Sequence, residues 1–518
     1  MLIPKQKNDN LSPLQNNTSK VDSTITSEIP AQETINQTDF QNAIPPEETV
    51  LLETDYLAVE FTNIGGNIKS ILIKKYNKKF PISSVHSIET YQKEPFIVIK
   101  NESNLISFSY EDESIKILKT YKLNENGFDL NSEIIIENKS NMSKLIDTNI
   151  IGYNLETSSL DKKTDILHAD ESRDKAFYEY AVYTDKTTLR KNNAFKFEDK
   201  NRKKEEGLVK WIGFRDRYFC LVVSPGYETE EFYVNPLGEH ELNVEMKPKK
   251  TEVGSGQNVV FSSTIYAGPE KLDLLKQYGL EFEKIKRYYR WGFLDLMGRL
   301  VYGLVHFMHN FIPSWGLCIV ILSVIIYLIT YPLTLRSMAS MRKMQQIQPE
   351  LQKIKEKYQS NPQKLQQETM AMYKKQGVNP LGGCLPALLQ APIFFGLYQA
   401  LWRDVSFKDA QFLWIKDLTS PDRLIILKTK LPFMGNEINI LPILMMGIMF
   451  LQQKASSKNI VVSDPVQASQ QKMMGIMMPI LLGVIFYKFA SGLTLYFTLY
   501  YIFSTITQFK LAKSQKVA

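Results

Sequence analysis

An uncharged apolar run that ends at Arg336 constrains this chain more than any other feature. Residues 313–335 hold no Asp, Glu, Lys or Arg. As a helix rising 1.5 Å per residue, such a run is long enough to cross a hydrocarbon core about 30 Å thick. Four further apolar runs follow, over 379–402, 436–453, 473–489 and 491–509. Two of them are short. Their uncharged parts, Ile438–Gln453 and Met473–Tyr487, reach about 24 Å at most. Short spans thin the bilayer or draw flanking side chains to its surface, and Lys488 is placed to do the latter. The expectation is a bundle of five transmembrane helices.

The first run has an oddity within it. In SVIIYLITYPLT (323–334), Ser323, Tyr327, Thr330 and Thr334 recur at i, i+4, i+7 and i+11, which is one face of a helix. A helix for lipid thus carries a polar stripe without a charge.

The N-terminal half has a different character. Residues 1–50 are rich in Asn, Gln, Ser, Thr, Glu and Pro and read as a disordered linker, because they cannot bury enough apolar surface to offset their ordering entropy. The opening MLIPKQKNDN has no apolar core of the length a signal peptide or anchor needs. Over 51–268 the pattern is β-rich. FIVIK (96–100), LISFSY (105–110), EIIIEN (133–138), YFCLVVS (218–224) and NVVFSSTIYAG (258–268) are short β-branched and aromatic runs, punctuated by NIGG, NENG, SPG and GSG. They predict a large antiparallel sandwich. Residues 269–290 turn helical. Over 291–312, Phe293, Leu296, Leu300, Leu304 and Phe307 line one face, beside Trp291, Arg299, His306 and His309. This pattern predicts a helix lying on a membrane surface, with a plain connecting helix as the alternative.

Basic residues set the orientation. Residues 336–375 carry nine Lys or Arg, and the tail at 510–518 adds Lys510, Lys513 and Lys516. The loop at 403–435 is diluted by acids, and 454–472 is a second short loop on the basic side. The 336–378 loop and the C-terminus are therefore expected in the cytoplasm and the sandwich outside. Within that loop Met341, Met344, Ile347, Leu351, Ile354 and Tyr358 step at helical spacing, SNP at 360–362 breaks the run, and a second helix begins near Gln363 and ends by Gly377. The result is a hairpin, Met-lined on one side and basic on the other through Arg342, Lys343, Lys353 and Lys357. The Met stripe either packs the two helices together or presents an adaptable apolar surface. The net charge of +7 comes without a Lys/Arg block interleaved with aromatics, so no specific nucleic acid is expected. Cys220, Cys318 and Cys384 are odd in number and widely spaced, which fits neither a disulfide framework nor a zinc site.

YPLTLRSMASMRKMQQIQPELQKIKEKY (331–358), NPLGGCLPALLQAPIFFGLYQAL (379–401), LWIKDLTSPD (413–422), DP (464–465) and FASGLTLYF (489–497) resemble the YidC family of membrane protein insertases. GGNIKSILIKKY (65–76), WIGFRDRYFCLVVSP (211–225) and YAGPEKLDLLKQY (266–278) are similar to the periplasmic domain of its Gram-negative members, a galactose-mutarotase-like sandwich. The resemblance implies an α+β, multi-domain protein of the bacterial inner membrane with no catalytic residues, cofactor or metal. It implies that nascent membrane proteins arrive from the ribosome and the signal-recognition targeting machinery, and enter lipid through a hydrophilic groove, alone or with the Sec translocon. For the groove it implies Ser323, Tyr327, Thr330, Thr334, Gln390, Thr494, Tyr501, Ser504 and Gln508, with Gln399 and Thr505 beside them. Phe394, Phe395, Leu397, Trp402, Met473, Met477 and Met478 become candidates for an apolar substrate path. Hydroxyls and amides that bond across helices, and side chains that simply meet lipid, are the competing readings of the same residues.

Two departures stand out. Members of this type usually begin with a transmembrane anchor, so the expectation here is a start placed too late or a trimmed chain. The family also commonly places a basic residue at the position of Tyr327. Arg336 does not replace it, because nine residues at about 100° each put it on the opposite face. A transporter or channel with an extracytoplasmic β domain is the alternative function, but apart from Glu437 at the edge of the third, the five runs lack the acids and the repeats that transporters show. A tethered carbohydrate enzyme would need a paired acid and base, and His86, His168, His240, His306 and His309 form no motif for one.

Overall fold

The structure, a computed structural model, describes residues 46–80, 82–156, 178–186, 188–192, 203–237, 241–286, 292–378, 385–431, 435–457 and 465–514. The linker expected over 1–50 lies almost wholly outside them, as do Cys384, His168, His240 and Trp291.

Alternation builds the sandwich. In Ile115–Leu123 (IKILKTYKL), Ile115, Ile117, Lys119, Tyr121 and Leu123 are all buried, and the residues between them reach the surface to varying degrees. This strand sits inside a nine-stranded sheet. From edge to edge the sheet runs Thr188–Asn192, Glu179–Thr184, Val209–Arg215, Phe219–Pro225, Asn258–Pro269, Asp129–Asn138, Ile115–Leu123, Leu105–Glu111 and Ile97–Asn101. A five-stranded sheet runs Lys203–Glu206, Thr229–Pro236, Glu241–Pro248, Ile150–Glu156 and Ile82–Ile88, and a four-stranded one begins at Thr49–Glu53. Neighbouring strands pair antiparallel throughout the described residues. One apolar core joins the sheets, with Phe61, Phe108, Tyr121, Trp211 and Phe214 fully buried. The Phe61 and Tyr121 rings lie 5.1 Å apart.

The inward face of Ile115–Leu123 takes in a lysine because period 2 leaves Lys119 no other side. Its ammonium donates to Gly65 O at 2.6 Å and Asn67 Oδ1 at 3.0 Å. Gly65 reaches it from the left-handed region at φ 69°.

After a short helix, α1 (Leu272–Gln277), the described chain is mostly helical, with one antiparallel strand pair, Ile425–Leu431 and Gly435–Ile438. Helix α2 spans Gly292–His309, α3 Trp315–Gln346, α4 Gln348–Lys357, α5 Pro362–Lys375 and α6 Leu385–Arg403. Helix α7 spans Ile440–Ser457, α8 Pro465–Phe486 and α9 Ser491–Ser514. Among the described residues one stretch, Trp315–Ser340, is long and apolar enough to cross a membrane, and Ile440–Ala455 and Gly475–Phe486 are shorter apolar helices. On α2, Phe293, Leu296, Leu300, Leu304 and Phe307 are exposed, while Val301, Tyr302, Val305 and Met308 are buried on the opposite side. Gly396 of α6 brings that helix against the α2 backbone, where a Cβ would meet Met297 at 3.0 Å.

The hairpin differs from expectation at its start. Helix α3 continues through Arg336 to Gln346, so Met341 and Met344 belong to it and not to the hairpin. The break falls at Ile347 because Pro349, at the second position of α4, lacks an N–H and clashes with the preceding turn. Lys343, Lys353 and Lys357 are exposed and Met344 is half-buried; the side chains of Met341 and Arg342 lie outside the described residues. Helix α5 opens on Asn361, whose side chain accepts from Lys364 N at 3.1 Å, with Pro362 as its first residue.

Candidate functional site

Most hydroxyls of the polar stripe are satisfied within their own helix. Ser323 donates to Ile319 O at 2.7 Å, Thr330 to Ile326 O at 2.9 Å and Thr334 to Thr330 O at 3.0 Å. All three are buried. On α9, Thr494, Thr498 and Thr505 likewise donate to the carbonyl one turn back. Tyr327 instead reaches across to α9, donating to Phe503 O at 3.1 Å, with the Thr507 hydroxyl also in hydrogen-bond contact. The stripe thus faces the α3–α9 seam.

A cavity of about 580 Å³ opens beside that seam. At one end it is lined by Thr334 and Ser337 of α3, Gln390 of α6, Gln452 of α7, and Tyr500, Tyr501, Ser504 and Gln508 of α9. At the other end stand Phe394, Phe395, Phe486, Phe489 and Phe497. The Phe486 and Phe497 rings lie 5.0 Å apart and those of Phe394 and Phe497 5.5 Å. The polar end lies toward the α4–α5 hairpin, since α3 and α9 run to it and α6 starts from it. Two amides bridge helices there: Gln390 Nε2 donates to Tyr496 OH at 2.6 Å, and Gln452 Nε2 to Ser504 Oγ at 2.8 Å.

The cavity therefore gathers Thr334, Gln390, Tyr501, Ser504, Gln508, Phe394 and Phe395 from the expected set. Ser323, Tyr327, Thr330 and Thr494 are packed between helices and do not line it. Gln399 is buried elsewhere on α6, and Leu397 is fully buried in the helical core. Met473, Met477 and Met478 are exposed on the outer face of α8. Ser337, Gln452 and Tyr500 were not expected at the site. Gln452 had a visible signal, an amide inside an otherwise apolar run; which way it points depends on how α7 packs on α9.

Beyond the aromatic end, Trp402 stacks edge-on with Tyr398 at 4.4 Å. Here the sandwich meets the helices. Arg217, in the turn of WIGFRDRYFC, donates to Trp402 O at 2.8 Å and Thr419 O at 2.9 Å, and its guanidinium lies 5.4 Å from the Trp402 ring. Tyr218 OH donates to Thr419 Oγ1 at 3.0 Å. LWIKDLTSPD supplies the floor of this joint. Asp422 accepts from Trp414 Nε1 and from Ile440 N and Leu441 N, so it caps α7. Close by, the buried Asp404 carboxylate is 2.6 Å from His306 Nε2 of α2. Burial alone would raise the Asp404 pKa, but the His306 hydrogen bond and the Lys286 charge outweigh it and hold the carboxyl below its ordinary range.

Comparison with known proteins bears on this architecture. Residues 307–517 match the family model described as 60Kd inner membrane protein, and residues 84–302 match the YidC periplasmic domain. Membrane protein insertase YidC of Rickettsia canadensis is 31% identical over 80% of this chain and 73% of its own length. The Chloroherpeton thalassium protein of the same name is 29% identical over 90% of this chain and 83% of its own. Among solved structures, an active YidC insertase with its first transmembrane domain resolved aligns over 90% of this chain and 94% of its own, at 19% identity and a TM-score of 0.37. A galactose mutarotase related enzyme from Lactobacillus acidophilus aligns over 42% of this chain and 97% of its own, at 11% identity and a TM-score of 0.32. A periplasmic-type β-sandwich followed by a helical region matching the inner membrane protein model places the chain in the YidC family of membrane protein insertases.

Proposed function

We propose that the cavity between α3, α6, α7, α8 and α9 is the hydrophilic groove through which this protein inserts nascent membrane proteins. The single observation that carries the reading is how the lining is divided: amides and hydroxyls gather at the hairpin end, and five phenylalanines line the rest. A polar segment moved through hydrocarbon loses several kcal/mol for each unsatisfied group. A polar recess that reaches partway shortens the apolar distance, and the aromatic end prevents an open pore.

On this reading α3, α6, α7, α8 and α9 span the membrane and the α4–α5 hairpin and C-terminus lie in the cytoplasm. The sandwich lies outside, with the exposed face of α2 resting on the bilayer. The exposed apolar side chains of α2 and α8 support that placement, since neither face meets protein among the described residues. The Sec translocon, the ribosome and the signal-recognition machinery would meet the cytoplasmic and lateral surfaces. The test is reconstitution: proteoliposomes holding the purified protein should protect the translocated tail of a small Sec-independent membrane protein from added protease. Failure to protect such tails across several substrates would overturn the reading.

A further inference from the structure

The segment from Phe412 to Asp422 lies across the end of the helices remote from the α4–α5 hairpin. Phe412 packs so closely on Gly316, in the first turn of α3, that a Cβ there would meet its ring. At the start of α9, Ser491 N and Gly492 N donate to Ser420 O and Leu418 O. Asp422 caps α7 and accepts from the Trp414 indole at 3.0 Å. The segment is therefore held level with the first turns of α3, α7 and α9.

At that level it exposes apolar side chains where turn chemistry calls for polar ones. Phe412 and Ile415 exchange both backbone hydrogen bonds at 2.9 Å, so Leu413 and Trp414 form the tip of a two-residue turn. Leu413 sits in the left-handed region at φ 54°, a position that ordinarily takes Gly, Asn or Asp. Yet the tip is a leucine, 75% exposed, and a partly exposed tryptophan. The neighbouring strand pair, Ile425–Leu431 with Gly435–Ile438, repeats the anomaly. Successive residues of a strand point to opposite faces, and Ile425 and Ile426 are both exposed. A two-stranded ribbon with bare apolar faces is marginal in water. The ribbon leads directly into α7, whose own Ile440, Ile443 and Leu444 are exposed. Lys416 and Lys428, each two residues from an apolar tip, are exposed as well.

We propose that Leu413, Trp414, Ile425 and Ile426 insert into the outer leaflet of the bilayer, as an interfacial anchor in addition to the exposed face of α2. Lipid fits the patch because the patch stands where the apolar surface of α7 begins, and because a tryptophan with flanking lysines suits the boundary between headgroups and acyl chains. Tied to α3, α7 and α9 at once, the anchor holds the outer ends of these helices at one depth. The inference rests on the reading that these helices span the membrane.

The experiment uses the full chain in liposomes, with Cys220, Cys318 and Cys384 replaced by Ala. Single cysteines are then introduced by Leu413→Cys, Ile426→Cys, Ile443→Cys or Met142→Cys, at side chains exposed enough for a label to spare the core. Each carries a nitroxide, and power-saturation EPR compares its collisions with oxygen, which concentrates in hydrocarbon, and with a water-soluble nickel chelate. Met142, 79% exposed, lies beyond the Glu137–Asn258 pair, at the other end of the strand from Pro269 and the joint with the helices, and is the aqueous reference. The chelate should dominate there. Oxygen should dominate at Leu413→Cys and Ile426→Cys, as at Ile443→Cys on α7. Chelate dominance at either of the first two, with oxygen dominance at Ile443→Cys, would overturn this proposal and leave the spanning reading intact. Chelate dominance at Ile443→Cys would overturn the spanning reading, and this inference with it. Poor access for both reagents at Leu413→Cys, with dipolar broadening between copies, would overturn the proposal in favour of a second copy of the chain.

Discussion

Lys119 in the sandwich and Gln390 among the helices are both buried polar side chains, and their surroundings treat them differently. Three oxygens surround the Lys119 ammonium, from Gly65, Asn67 and Ser87. Burial pushes its pKa down to about 7. Arg215 and Glu270, both buried, meet at 2.7 Å, and Arg215 also donates to Ile285 O at 3.1 Å. In the same joint Lys286 donates to Glu270 O and lies 4.3 Å from the Tyr302 ring of α2. The sandwich thus buries charges and partners them. The helical cavity is lined by uncharged side chains alone, and Gln390 is held by Tyr496 of α9. A rigid domain gains orientation from a charge held by fixed partners. A site that must bind and then release many segments works better with weaker, neutral groups.

The sharpest way to break this contrast is to unpair a charge in the sandwich. Glu270→Ala should destabilise the protein by about 3 kcal/mol, because Arg215 is left buried with only the Glu179 carboxylate, 3.9 Å away. Urea unfolding followed through the buried Trp211 measures it. Replacing both partners, as Arg215→Met with Glu270→Leu, should recover most of the loss. A cost below about 1 kcal/mol for the single change would mean that the joint is wet.

Acid tests the same dryness. His86 is fully buried in the left-handed region at φ 48°, with Nδ1 2.7 Å from Ser132 Oγ. Burial, and then the Lys119 charge, push its pKa from 6.5 down to about 3. The unfolded chain therefore binds the extra proton first, and stability falls as pH drops from about 6.5 toward 3. His86→Asn, which tolerates the backbone, should flatten that part of the Tm–pH profile. Lys119 works in another window: with its folded pKa below the ordinary 10.5, stability rises between about pH 7 and 10.5.

A smaller effect is expected where the two regions touch. Arg217→Ala removes donors to Trp402 O and Thr419 O and should cost about 2 kcal/mol, seen as faster protease cleavage between sandwich and helices. The smallest concerns the polar stripe. Tyr327→Phe removes the bond to Phe503 O and should cost about 1 kcal/mol in Tm measurements, with substrate choice by tail charge unchanged. A change in that choice would return Tyr327 to the groove wall.

Much of the helical architecture was readable from runs of apolar residues, and the strands from alternation. FIVIK, LISFSY and EIIIEN fall on Ile97–Asn101, Leu105–Glu111 and Asp129–Asn138. The exposed face of α2 was readable too, because periodicity alone separates Phe293, Leu296 and Leu300 from Val301 and Val305. The boundary of α3 was not. An apolar run ends at Arg336, but a helix ends where its hydrogen-bond ladder is interrupted, and that is the work of Pro349.

The sequence by itself determined which segments are helices or strands, which faces are polar, and the family, because periodicity and local motifs are properties of neighbouring residues. Only the tertiary structure decided which polar faces meet a cavity and which are spent on packing. Ser323 and Thr330 satisfy their hydroxyls one turn back, Tyr327 is tied to α9, and Gln390 lines the cavity while bonded to Tyr496. Whether a polar side chain is free depends on partners more than a hundred residues away in the chain, such as Tyr496 for Gln390 and Phe503 for Tyr327. The spacing of residues along one helix carries no information about them.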